Sequence, residues 1–232
     1  IRKKVLSVSV IIPAAGKGER FGKKKQFLHY KNKSVLTYAI SPFVFCDEIN
    51  EIIVAVSKDD MKQVNDYIKF ANFKKKVSIV EGGLFRQDSV RNAIKCSNKK
   101  NQIICIHDCV RPFISKSLIQ KVIKKCITSD AVIVAVPSTD TLKETKDLKI
   151  KKTIDRDKIW KAQTPQVFKR SIIEDVLFDL KYEKFFYTDE SSLVEQAGYD
   201  VSIVEGSPLN IKITTKDDWL LAKAIFKEIY ND

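Results

Sequence analysis

The chain has 232 residues, of which 44% are apolar and 31% charged. That composition suits a folded domain with a core of ordinary size and excludes a disordered chain, and no apolar run approaches the ~18 residues of a membrane span. A balance of 42 Lys and Arg against 29 Asp and Glu gives a net charge of +13, which favours anionic partners: nucleic acid, acidic lipid or phosphorylated small molecules.

The first predicted element is a strand over Val8–Ala14. Arg2, Lys3 and Lys4 ahead of it superficially match a secretory leader, but Ser7 and Ser9 interrupt the apolar stretch and it runs straight into a glycine-rich loop, so a strand explains it better. A helix over Ser34–Phe45 follows, which Pro42 is expected to kink or end. A strand over Glu51–Val56 leads into a helix over Lys58–Phe70, for which Ser57 and Asp60 form a capping box. Strands at Val77–Glu81, Gln102–His107 and Ala131–Pro137 then alternate with helices at Asp88–Ser97 and Lys116–Ser129. Apolar β-branched strands alternating with amphipathic helices predict an α/β fold with a mostly parallel sheet covered on both faces, whose ligands sit at the C-terminal strand ends. Residues 140–155 break the pattern: they are Lys-rich and poor in apolar side chains, with short strand-like pieces at Thr141–Glu144 and Ile150–Ile154. They predict a projecting β-arm that packs on a second subunit, and hence a homodimer. Lys216–Tyr230 is a closing helix capped by Thr215 and Asp218. With neither repeat nor linker in evidence, residues 1–232 are read as one domain.

Five cysteines, Cys46, Cys96, Cys105, Cys109 and Cys126, include no C-x-x-C pair, and only His29 and His107 could join them in a zinc site. They are read as buried thiols of a protein in the reducing cytoplasm.

The glycines are more informative. Of seven in the chain, five fall in two loops at predicted strand ends: Gly16, Gly18 and Gly22 after the first strand, Gly82 and Gly83 after the third. The first loop, from Pro13 to Gln26, lacks the G-K-[ST] ending of a Walker loop, and its third glycine comes one residue too late for a dinucleotide fingerprint. It is rich in Arg and Lys instead. Backbone amides that cradle phosphate, together with fixed cations, suit the charge that shifts in phosphoryl transfer.

Several blocks in order carry a resemblance: Pro13-Ala-Ala-Gly-x-Gly-x-Arg-x-Gly to Lys25-Gln26, Gly82-Gly-Leu-Phe-Arg86-Gln-Asp-Ser89, His107-Asp-Cys-Val-Arg111-Pro112, Pro137-Ser-Thr-Asp-Thr141-Leu-Lys143, Thr153-Ile-Asp-Arg156 to Trp160 and Thr164-Pro-Gln166, Thr188-Asp-Glu-Ser-Ser192, and Asn210-Ile-Lys212. Together they resemble the 2-C-methyl-D-erythritol 4-phosphate cytidylyltransferases of non-mevalonate isoprenoid biosynthesis, over nearly the whole chain. The resemblance implies a single Rossmann-like domain and a reaction in which the phosphate of a sugar-alcohol phosphate attacks the α-phosphorus of CTP and pyrophosphate leaves. It implies Arg20 and Lys25 as the cations that stabilise the transition state, and Arg156 and Lys212 as those that position the sugar phosphate. Arg111, Thr141 and Thr188 become substrate-side contacts, and Ala14, Ala15, Gly16, Gly82, Gly83 and Ser89 the nucleotide pocket. Asp108 becomes the acid that binds Mg²⁺, and the arm carrying Thr141 crosses to a partner subunit. Two departures are visible. Lys24 stands where the family usually has Pro and the loop is about two residues short, so Lys23 and Lys24 stay open beside Lys25, which Gln26 keeps in register. Leu84 stands where relatives often have a polar residue. His107 is read as a packed strand-end histidine, while Arg86 and Lys143 read equally well as surface charges.

Two alternatives remain at this stage. A ribitol 5-phosphate cytidylyltransferase shares the chemistry and the Arg-Pro and Thr-Pro-Gln blocks. A basic nucleic-acid-binding module would need aromatic residues interleaved with cations, but the 13 Phe and 7 Tyr fall mostly in apolar patterns, which argues against nucleic acid as the partner.

Overall fold

The computed structural model describes residues 6–182 and 187–230, with Arg20 and Tyr182 described by their backbone alone. Eleven strands and seven helices follow one another along them. The strands are β1 (Val8–Pro13), β2 (His29–Tyr30), β3 (Lys33–Ser34), β4 (Ile49–Val56), β5 (Val77–Glu81), β6 (Ile103–Ile106), β7 (Ala131–Pro137), β8 (Leu142–Lys146), β9 (Lys149–Ile154), β10 (Trp160–Lys169) and β11 (Val201–Glu205). The helices are α1 (Val35–Val44), α2 (Met61–Ala71), α3 (Arg86–Cys96), α4 (Lys116–Cys126), α5 (Arg170–Phe178), α6 (Glu190–Gln196) and α7 (Lys216–Ile229).

Seven strands form one sheet in the order β11-β7-β10-β6-β1-β4-β5. Six run parallel; β10 is antiparallel to both its neighbours. The expected mostly parallel α/β sheet is therefore what the chain forms. β1 lies between β4 and β6, so the strand order reverses beside it and its exit loop occupies the switch point where such sheets bind ligands. The two faces are both covered, as fully apolar strands require. Val8, Val10 and Ile12 of β1 point into the larger core with α1, α4 and α7, and Ile11 into the second core with α3, α5 and α6. Ser9, which breaks the apolar run, has a specific reason to be there: its hydroxyl donates to Glu51 Oε1 (2.7 Å) and accepts from Asn101 Nδ2 (2.9 Å) inside the sheet.

The predicted elements before residue 137 are present with ends moved by up to three residues. Pro42 lies inside α1, which continues for two residues beyond it. The capping box predicted for Ser57 and Asp60 does not form: a 3-10 turn over Lys58–Asp60 precedes α2, and the Ser57 hydroxyl donates to Asp60 Oδ2 (2.6 Å) rather than capping the helix. The box at Thr215 and Asp218 does form at the start of α7. Residues 140–155 make the hairpin β8–β9, whose turn places Asp147 and Leu148 at φ 51° and 59°. Both strands are almost wholly exposed.

β10 and β11 escape the sequence reading. β10 carries Pro165 inside it and buries Gln163, Thr164 and Gln166, which contradicts the usual look of a central strand. β11 had a signal that was there to use. Its sequence, Val-Ser-Ile-Val-Glu, is identical to that of β5, and the two copies form the opposite edges of the sheet, each followed by glycine.

Candidate active site

The exits of β1, β4, β5 and β6 meet around a cleft of about 710 Å³. The glycine-rich loop forms one wall. Gly18 has φ +75°, and a Cβ there would run into the Lys23 carbonyl, so only glycine lets the loop fold back on itself. Gln26, buried at the loop's end, donates from Nε2 to the carbonyls of Ala14 (2.9 Å) and Gly16 (3.0 Å) and ties exit to return. Lys25, in the 3-10 turn Lys25–Phe27, lines the cleft.

The second wall is the Gly82–Gly83 turn and the start of α3. A Cβ on Gly82 would stand 2.7 Å from Ala15 Cβ and 2.8 Å from Ser89 Oγ, so the close approach of the two loops depends on its absence. Ser89 holds the turn by accepting from the Gly83 N–H (3.0 Å) and donating to the Phe85 carbonyl (3.2 Å). Ala15, Gly16, Gly83 and Ser89 face the cleft, while Ala14 and Gly82 sit just behind, each donating its N–H into β4 (2.7 Å).

Asp108 forms the floor, immediately after β6. Its side chain is 8% exposed and is ringed by three cations: Lys212 Nζ at 3.0 Å, Arg111 Nε at 3.3 Å and Arg86 Nε at 3.4 Å. Burial alone would push its pKa up; Arg86, Lys212 and Arg111 outweigh that and hold the carboxyl well below the usual carboxylate range. Asp108 is therefore an anion at any working pH. Arg86 reaches past it to Glu190 at the start of α6, a fully buried carboxylate whose two oxygens both lie 2.7 Å from Nη1. Arg111 is buried beneath Asp108, its Nη1 donating to the Asn210 carbonyl (2.8 Å), and does not line the cleft. Lys212 does, and it is 39% exposed.

His107 is fully buried, as a packed histidine should be. Its Nε2 donates to the Arg111 carbonyl (3.0 Å), and Nδ1 lies 3.0 Å from Thr164 Oγ1, which also accepts the Asp108 N–H. Burial lowers its pKa to about 4, and with both ring nitrogens engaged it is a neutral strut.

Of the remaining predicted residues, Arg156, Thr141 and Thr188 do not line this cleft. Arg156, in a 3-10 turn at the base of the arm, donates from Nη1 to the Thr139 carbonyl (2.8 Å), and Thr141, at the start of the hairpin, is exposed. Thr188 is exposed in the bend before α6. Arg20 belongs to a 3-10 turn over Glu19–Phe21 in the glycine loop, and its side chain lies outside the described atoms. Sequence reasoning missed the pairing of Arg86 with Glu190, 104 residues apart, and read Asp60 only as a helix cap, whereas its carboxylate binds Lys24 Nζ at 2.7 and 2.8 Å. Neither pair has a local pattern that could reveal it.

The donor set also bears on a metal. Among the described residues no group of three or more His, Cys, Asp or Glu side chains could enclose one. A single ionised carboxylate at the floor of a cation-lined cleft fits the way Mg²⁺ is held in phosphoryl transfer, by one or two acids plus the substrate's own phosphates.

Comparisons with known proteins agree with this geometry. A family model described as 2-C-methyl-D-erythritol 4-phosphate cytidylyltransferase matches residues 8–228. A curated protein of that name from Syntrophus aciditrophicus is 42% identical over 225 residues, covering 95% of this chain and 96% of its own; one from Bacillus licheniformis is 38% identical over 224 residues, with 96% of both chains covered. The crystal structure of 4-diphosphocytidyl-2C-methyl-D-erythritol synthase from Anaerococcus prevotii superposes with a TM-score of 0.85 at 31% identity, covering 97% of this chain and all of that one.

Proposed function

Since the chain belongs to the 2-C-methyl-D-erythritol 4-phosphate cytidylyltransferase family, we propose that this cleft is where CTP meets the phosphate of 2-C-methyl-D-erythritol 4-phosphate. The protein is a nucleotidyltransferase: the substrate phosphate attacks the α-phosphorus of CTP, pyrophosphate leaves, and the product is 4-diphosphocytidyl-2-C-methyl-D-erythritol. The observation that carries the reading is the convergence on one cleft of the glycine-rich loop, the Gly-Gly turn, Lys25, Lys212 and the ionised Asp108.

The chemistry asks little of proton transfer. A phosphomonoester has its second pKa near ~6, so the nucleophile is already ionised at neutral pH. His107, buried and doubly bonded, is in no position to act as a base. What the site must do is bring two polyanions together and offset the charge that builds up. The loop amides and the Gly82–Gly83 turn receive the nucleotide, and Ser89 keeps that turn in shape. Arg20 and Lys25 take the α-phosphate side. Lys212 takes the sugar phosphate, which requires it to leave Asp108; its exposure leaves it room to turn. Arg111 acts from below, holding Asp108 and the Asn210 segment that leads to Lys212. A divalent ion, when bound, neutralises charge on the CTP phosphates, and Asp108 is the carboxylate that would hold it.

Arg156, Thr141 and the exposed arm make sense in a homodimer, where they would complete the sugar-phosphate site of the partner. The pattern of unpaired cysteines fits a cytoplasmic enzyme. No helix among the described residues is long and apolar enough to cross a membrane.

Release of pyrophosphate from CTP by the purified protein, measured with 2-C-methyl-D-erythritol 4-phosphate and with ribitol 5-phosphate in parallel, tests the reading. Turnover with the first alone is expected; turnover with ribitol 5-phosphate alone would overturn it.

A further inference from the structure

An ion pair ties the glycine-rich loop to the exit of β4. Lys24 Nζ lies 2.7 Å from Asp60 Oδ1 and 2.8 Å from Oδ2. Asp60 is 6% exposed, and its Oδ2 also accepts from the Ser57 hydroxyl at 2.6 Å. Ser57 follows β4 directly, so the acid is held on the rigid exit of a central strand. Lys24 and Ser57 both line the cleft, and Lys24 immediately precedes the turn that presents Lys25.

We propose that Lys24 and Asp60 are positioning residues for the nucleotidyl transfer: their ion pair pins the glycine-rich loop to the β4 exit, so that Lys25 and the loop amides stand in place before the nucleotide arrives. Lys24 thereby spends its charge on the protein, not on phosphate. The geometry of the hold supports this. A lysine that met phosphate would gain most from a free, swinging ammonium, whereas here a largely buried acid, oriented by a hydroxyl, meets it with both oxygens. Lys24 adopts φ −68° and ψ 101°, an extended conformation at the entrance to the Lys25–Phe27 turn. A loop of four lysines and three glycines has much freedom to lose on binding, and an anchor fixed beforehand reduces that loss.

The inference rests on the proposed reaction, and its test is relative to the wild-type rate. Lys24→Ala and Asp60→Asn are each expected to lower kcat/KM for CTP about tenfold, with the KM for the sugar-alcohol phosphate unchanged, because a small misplacement of reacting groups is costly. The double variant should lose no more than either single one, since all three break the same contact. Circular dichroism and thermal unfolding establish that each variant is folded, and Lys24→Ala, partly exposed, keeps the test open if Asp60→Asn is not. Additive losses in the double variant would overturn the proposal and make Lys24 a phosphate contact. A wild-type protein that does not consume CTP would overturn the reaction instead.

Discussion

The pairing of Arg86 with Glu190 sets the most demanding condition on the site. Glu190 is fully buried, and among the described residues its carboxylate is held by the Arg86 guanidinium, which reaches it from the start of α3. Arg86→Met removes the cation and leaves a charge in the protein interior. Breaking a buried pair from one side costs about 3–5 kcal/mol; because the Arg86 side chain is 32% exposed and water can reach its side of the pair, the lower end, about 3 kcal/mol, applies. With a urea m-value of about 3 kcal/mol/M for a chain of this size, the unfolding midpoint should fall by about 1 M. Arg86→Met combined with Glu190→Gln removes the stranded charge, and should recover more than half of the loss. Asp108 then keeps Arg111 and Lys212 as partners, so the recovered stability reports on Glu190. Equilibrium urea unfolding of the wild type, Arg86→Met, Glu190→Gln and the double variant, followed by fluorescence and circular dichroism together, measures the cycle. A loss below about 0.5 kcal/mol in Arg86→Met, the value of an exposed pair, would refute the reasoning, as would a double variant less stable than the single one.

Other expectations follow from the same site. Arg20→Ala should lower turnover about 10²-fold, the loss typical of one electrostatic donor, with thermal unfolding unchanged; steady-state rates near wild type would remove the residue from catalysis. Lys212→Ala and Arg156→Ala should chiefly raise the KM for the sugar-alcohol phosphate in initial-rate assays, and an effect confined to CTP would assign them to the other ligand. His107 gives a pH dependence. Its folded pKa of about 4 lies below the ordinary 6.5, so the stability it contributes is complete above about pH 6.5 and is lost as the pH falls toward 4, amounting to about 2 kcal/mol by pH 5. Denaturant unfolding at pH 7 and pH 5 should show that loss in the wild type and not in His107→Gln; equal losses in the two proteins would deny the histidine its part.

Much of the fold could be read from the sequence because its signals are local. An apolar β-branched run such as Ala131–Pro137 has one comfortable conformation, and the glycines of a glycine-poor chain mark the places where backbone approaches backbone or ligand. The reading failed where the local signal points the wrong way. β10 buries Gln163, Thr164 and Gln166, each of which finds partners only once the chain is folded: Gln163 with the Ser207 carbonyl, Thr164 with His107, Gln166 with Asp189. Ser57 and Asp60 have the spacing of a helix cap, yet the acid is drawn to a lysine 36 residues earlier. A local motif states which bonds are available, and tertiary structure decides which of them form.

The same distinction separates what could be named at the site from what could not. The two glycine turns stand out by residue type and position, and the family resemblance picks out Asp108, Lys212 and Lys25. Their electrostatic state does not stand out, because it depends on groups far away in sequence. Lys24 is matched to Asp60, Arg86 to Glu190, and Lys212 to Asp108 before any substrate arrives, so the net charge of +13 says little about the field inside the cleft. What matters is the local balance at its floor. Three cations, Arg86, Arg111 and Lys212, face two carboxylates, Asp108 and Glu190, which leaves one positive charge over. Of the three, Arg111 is buried and Arg86 is committed to Glu190; Lys212 is the most exposed and holds a single carboxylate oxygen. An arriving phosphate can therefore take Lys212 while Asp108 stays ionised under its two arginines. Pairing the site's charges in this way keeps a folded cleft from repelling itself, and leaves one cation free to move to the substrate without stranding the acid beneath it.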